Sequence, residues 1–256
     1  MTLIEKRDNQ IGILQFNRPE VYNSINADLA TRLLAALDAL QVDPTIRAVM
    51  ITGTGKAFCA GQDLQEAISP GFEIGDVVED YYNAIVRRIR NLSKPVIAAV
   101  NGIAAGAGAN IALACDITVA NSSAHFVQAF SGIGLVPDSG GTFMLPRSVG
   151  FAKASALMML GEKVPAAEAE QMGMIYKVFD PEKFEAQALE LASRLAGMPT
   201  KALAFTKQLL NESHQNSLEE QLAMEKEFQI KATKTSDHKE GIQAFIEKRK
   251  PKFTGE

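Results

Sequence analysis

Apolar residues in the first half of the chain follow two patterns that alternate along the sequence. Short apolar runs bounded by turn residues predict buried strands over residues 11–16, 48–53, 96–100 and 117–120. Between these runs, apolar residues recur at helical spacing and predict helices over residues 29–40, 81–92 and 107–114. Asn26 or Asp28 can cap the first of these helices, and Asp43-Pro44 ends it. Strands that alternate with helices indicate an α/β fold with largely parallel sheets.

The pattern becomes helical after Gly141. Helices are predicted over residues 151–160, 166–172, 181–196 and 218–233, with one short strand at 175–179. We therefore expect a core over residues 1–195 and a C-terminal helical region over residues 196–256. The apolar stripes of this region would fit either its own core or a neighbouring subunit, and the sequence does not separate the two.

Composition narrows the class of protein. Of the 256 residues, 46% are hydrophobic and 22% are charged, which is typical of a soluble globular protein. The net charge of -4 argues against a general nucleic-acid binder. The N-terminus lacks a signal pattern, and no apolar run reaches the roughly 18 residues of a membrane span. We expect a cytoplasmic protein that binds neither membrane nor nucleic acid.

The two cysteines and three histidines do not predict a metal or disulfide site. Cys59 and Cys115 lie in apolar runs outside any CxxC pair, so we interpret them as reduced, packed thiols. No two histidines have the spacing of metal ligands.

Asp138 is the acid with the most unusual surroundings, because it lies in the apolar turn Leu135-Val136-Pro137-Asp138-Ser139-Gly140-Gly141. Dry surroundings disfavour the charged carboxylate and raise its pKa, so such a group can take and return a proton near neutral pH. The alternative is that Asp138 or Ser139 simply caps the helix that follows.

Two further segments, residues 57–64 and 101–110, each follow a predicted buried strand and start a helix or turn. Backbone N–H groups are unpaired at such starts, and two of them that converge on one point form an oxyanion hole. Small residues let a ligand carbonyl approach the backbone closely. For either segment alone, we favour an ordinary tight turn as the interpretation.

Taken together, these segments resemble the crotonase family, also called the enoyl-CoA hydratase/isomerase superfamily. The resemblance is carried by Asn17-Arg18-Pro19, Ala57-Phe58-Cys59-Ala60-Gly61-Gln62-Asp63-Leu64, Val100-Asn101-Gly102, Cys115-Asp116-Ile117, Gly134 to Thr142, Leu145-Pro146-Arg147, Ala169 to Ile175 and Ala244 to Arg249. It implies a ββα-spiral core with a C-terminal helical trimerisation region, and assembly as a homotrimer or a dimer of trimers. It also implies an acyl-CoA thioester substrate and no separate cofactor, because CoA is part of the substrate.

The resemblance assigns the oxyanion donors to the backbone N–H groups of Gln62 and Ala107, where many relatives have glycine in place of Ala107. It places the CoA moiety against the turn that contains Ala60, Gly61, Asp63 and Leu64.

Other positions are weaker candidates. Lys56 and Arg18 could contact the CoA phosphates, or could be solvated surface residues. Phe130 and Phe126, with Tyr81 or Tyr82, could form an aromatic wall of the acyl pocket, or could be core residues.

The chain departs from the hydratases of this family, which use two glutamates to activate water. Asn110 and Phe130 occupy the matching positions, and neither can act as a general base. Asp138 matches the base of several isomerase members, so the resemblance favours an isomerase. It is strongest to the members that rearrange a ring epoxide in phenylacetate catabolism.

Two alternatives stay open. One is a Δ3,Δ2-enoyl-CoA isomerase or hydratase-like enzyme of fatty-acid oxidation. The other is a non-enzymatic RNA-associated or scaffold protein on the same fold.

Overall fold

The computed structural model describes every residue from Met1 to Glu256. The strands are β1 Leu3–Asp8, β2 Ile11–Phe16, β3 Ala48–Gly53, β4 Ala57–Cys59, β5 Val96–Val100, β6 Ile103–Ala105, β7 Ile117–Asn121, β8 His125–Val127, β9 Lys163–Pro165 and β10 Lys177–Phe179. The α-helices are α1 Ala27–Val42, α2 Leu64–Ala67, α3 Ile74–Val77, α4 Ala84–Asn91, α5 Ala107–Ala114, α6 Gly141–Val149, α7 Phe151–Leu160, α8 Ala166–Gln171, α9 Phe184–Ala196, α10 Thr200–Glu212, α11 Leu218–Ala232 and α12 Ser236–Ile246. A π-helical segment, Val78–Asn83, joins α3 to α4.

Two sheets organise the core. The larger sheet has the order β1-β2-β3-β5-β7-β10, and the smaller has the order β4-β6-β8-β9. Only β1 with β2 and β8 with β9 pair antiparallel. The pairs β3–β4, β5–β6 and β7–β8 each place one strand in each sheet, and a helix follows each pair. This threefold ββα repeat is a spiral, and it confirms the predicted fold class.

Sequence patterns located many of the longer elements. Five predicted elements have the bounds of β2, β3, β5, α5 and α7, and Asn26 caps α1 by accepting a hydrogen bond from Leu29 N at 3.0 Å. The expected helix over residues 81–92 begins earlier, as the π-helical segment at Val78. The structure adds β1, the four short strands of the smaller sheet and the helices α10 and α12.

The apolar core lies on both faces of the larger sheet. The larger cluster packs α1, α4 and α5 against one face of that sheet and includes Val49 and Ile51. The smaller cluster packs α9 against the other face and includes Ala48 and Met50. Because alternate residues of β3 enter different clusters, both faces of the strand are apolar over residues 48–51.

The C-terminal helical region is tied to its own core by buried charged groups. Lys207 of α10 forms a salt bridge with Asp116 at 2.8 Å and donates to Ile89 O at 2.6 Å. Arg47 donates to Thr200 Oγ1 at 2.9 Å. Helix α10 therefore packs on its own chain, and the boundary at residue 195, near the end of α9, stays a prediction.

None of the helices combines the length and the apolar character needed to cross a membrane.

Candidate active site

The turn between β4 and α2 presents one unpaired backbone amide. Ala60 N donates to Tyr22 O, Gly61 N to Cys59 Sγ, and Asp63 N to Ile25 O. Gln62 N, between them, has no hydrogen-bond partner in the protein. The turn depends on Gly61, whose φ of +92° is unfavourable for other residues. Gln62 N is therefore free to donate to a ligand.

A second unpaired amide begins α5. Gly106, at φ +53° and ψ −129°, directs the chain into the helix, and Ala107 is the first helical residue. The first N–H groups of a helix have no intrahelical acceptor, so Ala107 N is available. A β-carbon at Gly61 would lie 3.5 Å from Ala107 N. The turn that carries Gln62 N therefore contacts the helix start that carries Ala107 N, as an oxyanion hole requires.

A buried polar network fixes the Gln62 turn. Arg18 pairs with Asp63 at 2.7 Å and donates to Ser24 O at 2.7 Å. The fully buried Asn23 accepts from Arg18 N and donates to Ala57 O at 2.8 Å. Because Asp63 also caps α2 by accepting from Gln65 N, the position of Gln62 is held on both sides.

Asp138 lies on a turn with two consecutive residues in the left-handed region, Ser139 at φ +51° and Gly140 at φ +74°. Helix α6 starts at Gly141, and its N-cap Gly140 gives no side-chain hydrogen bond. Neither Asp138 nor Ser139 caps this helix, so the capping alternative is wrong. Ser139 Oγ donates to Asp138 Oδ1 at 2.8 Å and is the one side chain that hydrogen-bonds to this carboxylate.

Asn110 holds the Asp138 turn in place through a hydrogen bond to its backbone. Its Nδ2 donates to Asp138 O at 2.9 Å, and its Oδ1 accepts from Gln128 Nε2 at 2.8 Å. The side chain is completely buried, and a β-carbon on Gly141 would collide with its amide. Asn110 is thus a scaffold residue for the turn rather than a group that activates water.

Asp138 is the acid best suited to proton transfer. Burial raises the pKa of its carboxyl group, and the hydrogen bond from Ser139 opposes part of that rise. No cation forms a salt bridge with it. By contrast, Asp63 is paired with Arg18, and both carboxylate oxygens of Glu66 accept from Ala27 N at 3.1 Å.

Other reactive groups near the turns are inert or absent. Cys59 is a free, fully buried cysteine, as predicted, and burial raises the pKa of its thiol to about 12. Cys115 is likewise free and buried. No group of three or more His, Cys, Asp or Glu side chains is arranged to hold a metal ion.

The positions expected to contact CoA differ in accessibility. Leu64 is 62% exposed, and Lys56 is exposed on the turn before β4, so both are accessible to a ligand. Ala60 and Gly61 lie on the same turn. Arg18 and Asp63, however, are largely buried in their mutual salt bridge. Their placement favours a structural role in holding the turn, in place of the expected contacts with CoA.

Phe130 lies beside Gly106, at the start of α5. It is 6% exposed, and its Cζ is 3.8 Å from the point where a β-carbon on Gly106 would lie. The ring therefore backs the start of α5 and is an apolar boundary of the site.

Comparison with known proteins decides the family. The family model for enoyl-CoA hydratase/isomerase matches residues 6–256. The chain belongs to the enoyl-CoA hydratase/isomerase family.

Individual relatives of this family agree over nearly the whole chain. The 1,2-epoxyphenylacetyl-CoA isomerase of Escherichia coli K12 is 46% identical over 246 residues, which cover 94% of each chain. A probable enoyl-CoA hydratase of Rhodobacter capsulatus is 42% identical, covering 96% of this chain and 95% of the relative. The crystal structure of an enoyl-CoA hydratase/isomerase from Mycobacterium abscessus superimposes with a TM-score of 0.93 at 34% identity, covering 99% of this chain and 100% of the other.

The supporting residues Asn23 and Gln128 were not identified from the sequence. Their signal is burial of an amide side chain, which no local pattern reveals because it depends on partners distant in sequence.

Proposed function

We propose that this chain is an acyl-CoA isomerase that combines an oxyanion hole with a single aspartate base. Its physiological reaction would convert 2-(1,2-epoxy-1,2-dihydrophenyl)acetyl-CoA into the seven-membered oxepin-CoA in phenylacetate catabolism. The observation that carries the proposal is that Asp138 is a partly buried carboxylate without a cation, while Asn110 and Phe130 stand where hydratases have glutamates. The similarity to the E. coli 1,2-epoxyphenylacetyl-CoA isomerase supports the choice of substrate.

The oxyanion hole would bind the thioester oxygen through Gln62 N and Ala107 N. These donors stabilise the negative charge that develops when a neighbouring C–H bond breaks, so they make that proton more acidic. No metal or redox cofactor takes part in the proposed reaction.

Asp138 would act as the proton shuttle in a double-bond shift. The C2–H bond of a 3-enoyl-CoA breaks, the proton moves to the Asp138 carboxylate, and the electrons enter a dienolate. Asp138 then returns the proton to C4, and the double bond lies between C2 and C3. The raised pKa suits this role, because one group must both accept and donate the proton.

The ring epoxide needs no net proton transfer. The bond between the two ring carbons that carry the epoxide oxygen breaks, and the ring double bonds shift to give an oxepin of the same composition. Polarisation of the thioester by the same two N–H groups would assist this opening. One site therefore serves both reactions.

The decisive test is Asp138→Asn with a 3-enoyl-CoA substrate. We expect kcat to fall by roughly a hundredfold or more, because the base is lost while its shape is kept. Binding of a saturated acyl-CoA, measured by calorimetry, should change little. Asp180→Asn, on the surface after β10, is the matched control and should retain full activity. Near-normal turnover by the Asp138 variant would refute the base assignment.

A Δ3,Δ2-enoyl-CoA isomerase of fatty-acid oxidation is the second candidate, because the same base and oxyanion hole suffice for it. Comparing kcat/KM for the ring-epoxide thioester and for linear 3-enoyl-CoA substrates distinguishes the two. Hydration of crotonyl-CoA should be negligible, since Asn110 is occupied with Asp138 O and Gln128. A strong hydratase rate would mean that another acid activates water.

We also propose that the chain assembles as a homotrimer or a dimer of trimers. Two exposed apolar faces favour this. One surrounds α7 and includes Phe151, Met159 and Leu160, and the other lies on α10 and α11 and includes Leu210 and Leu222.

A further inference from the structure

Tyr82 has a buried hydroxyl group without a hydrogen-bond partner in the protein. The residue is 1% exposed. Buried hydroxyl groups are nearly always paired, so an orphan of this kind requires an explanation. The proposed proton shuttle and oxyanion hole do not use it.

The backbone that carries Tyr82 is also unusual. Val78–Asn83 is π-helical between α3 and α4. Such segments are rare and occur frequently at functional sites, where the extra residue in the turn redirects side chains.

A packing contact places the helix that follows Tyr82 against the Asp138 turn. Val86, one helical turn after Tyr82, has its Cγ1 3.7 Å from the point where a β-carbon on Gly140 would lie, so this helix face packs on the Asp138 turn. Burial raises the pKa of Tyr82, and the charge of Asp138 raises it further. Tyr82 therefore lies on the helical segment that packs on the Asp138 turn.

We propose that Tyr82 is a specificity-determining residue whose Oη donates a hydrogen bond to an oxygen on the acyl portion of the substrate, separate from the thioester oxygen. The fitting substrate class is acyl-CoA thioesters with a ring ether or epoxide oxygen. This inference rests on the proposed function and deepens it.

The chemistry of the phenol supports a donor role. Because its pKa is raised, the hydroxyl stays protonated over the working pH range and can donate but not act as a base. The ring oxygen keeps both of its C–O bonds when the carbon–carbon bond of the epoxide breaks, so its lone pairs can accept this hydrogen bond in the substrate and in the product. A linear hydrocarbon chain has no acceptor and would leave the hydroxyl unpaired, which is how a site rejects an analogue.

The test compares two substrates in three proteins. Wild type, Tyr82→Phe and Tyr176→Phe are assayed with the ring-epoxide thioester and with trans-3-hexenoyl-CoA. Tyr176 is 62% exposed and controls for removal of a phenol hydroxyl elsewhere. We expect Tyr82→Phe to lower kcat/KM for the ring substrate roughly tenfold, the value of one hydrogen bond, and to leave or raise that for the hexenoyl substrate. Tyr176→Phe should change neither.

The outcomes separate the two proposals. Equal changes with both substrates, or none, would show that the Tyr82 hydroxyl has no role in specificity, while the isomerase proposal survives. Failure of the wild type to convert the ring substrate would overturn the proposed function and the Tyr82 inference with it. Folding is checked by thermal unfolding, and Tyr82→Phe should melt at or above the wild-type temperature because it removes an unpaired buried hydroxyl.

Discussion

Ser139 shows how a single residue can be kept in an unfavourable conformation for the sake of its neighbour. A non-glycine residue in the left-handed region costs roughly 1–2 kcal/mol, and Ser139 has φ +51°. Glycine would avoid that cost but could not donate to Asp138 Oδ1, as Ser139 does at 2.8 Å. We infer that the hydrogen bond to the base offsets the backbone strain.

The pair of variants Ser139→Ala and Ser139→Gly tests this balance. Both variants remove the hydrogen bond that lowers the pKa of Asp138. The pKa therefore rises further, because this hydrogen bond no longer offsets the effect of burial. A base with a higher pKa is ionised only at higher pH. We therefore expect the acidic limb of kcat/KM to move to higher pH in both variants, as measured in a pH–rate profile. An unmoved limb in both would show that Ser139 does not tune the base.

Stability should separate the same two variants. Native Asp138 holds its proton more tightly than the unfolded chain does, so its ionisation destabilises the fold above the native pKa. That cost disappears below the unfolded pKa of about 3.9. At neutral pH, the free energy of unfolding of Ser139→Gly should exceed that of Ser139→Ala by ~1 kcal/mol, because only glycine relieves the backbone strain. Thermal unfolding measures this difference. The difference between the two variants should persist at acidic pH, since it does not involve a proton.

At the level of elements, the proposed oxyanion hole depends on how closely α5 approaches β4. A β-carbon at Gly108 would lie 2.7 Å from both Cβ and Sγ of Cys59 and would collide with its carbonyl oxygen. The first turn of α5 can therefore press against the end of β4 only because residue 108 is glycine. That approach sets the position of Ala107 N relative to Gln62 N.

Gly108→Ala should displace the helix start and misplace one oxyanion donor. We expect kcat for a 3-enoyl-CoA to fall roughly 10²- to 10³-fold, the usual cost of losing one such donor. Gly132→Ala is the control, because a β-carbon there meets nothing within 4 Å. Circular dichroism should show that both variants are folded. A Gly108 variant with normal kcat would show that the close packing of α5 on β4 is not needed for catalysis.

The elements also show what a sequence reveals and what it hides. β3 and β5 were predicted to the residue, because burial on both faces gives unbroken apolar runs. β4, β6, β8 and β9 have three residues each, too few for any periodicity to be recognised. Asp138, Gln62 and Ala107 were predicted as site residues because chemistry and resemblance coincided there. The Tyr82 hydroxyl has no such signal, because its environment arises only when α4 packs on the Asp138 turn.

At the level of the whole molecule, one of the two exposed apolar faces lies next to the Asp138 turn. The α7 face borders an apolar cavity of about 490 Å³, which is also lined by Val136 and Pro137, the residues immediately before Asp138. Met159 is 75% exposed on this face, and Leu222 is 48% exposed on α11. Exposed apolar groups clustered in this way are typical of subunit interfaces.

Identical subunits can close into a ring when one face of each copy meets a different face of the next. If the α7 face meets the α10–α11 face in this way, Met159→Lys and Leu222→Lys should each convert trimers to monomers, as measured by light scattering after size-exclusion chromatography. Val42→Lys, an equally apolar position that is 79% exposed at the end of α1, should leave the assembly intact. Since the α7 face supports the residues before Asp138, the Met159 monomer should also lose kcat although every catalytic group is present. A trimer that survives both substitutions would place the interface elsewhere on the chain.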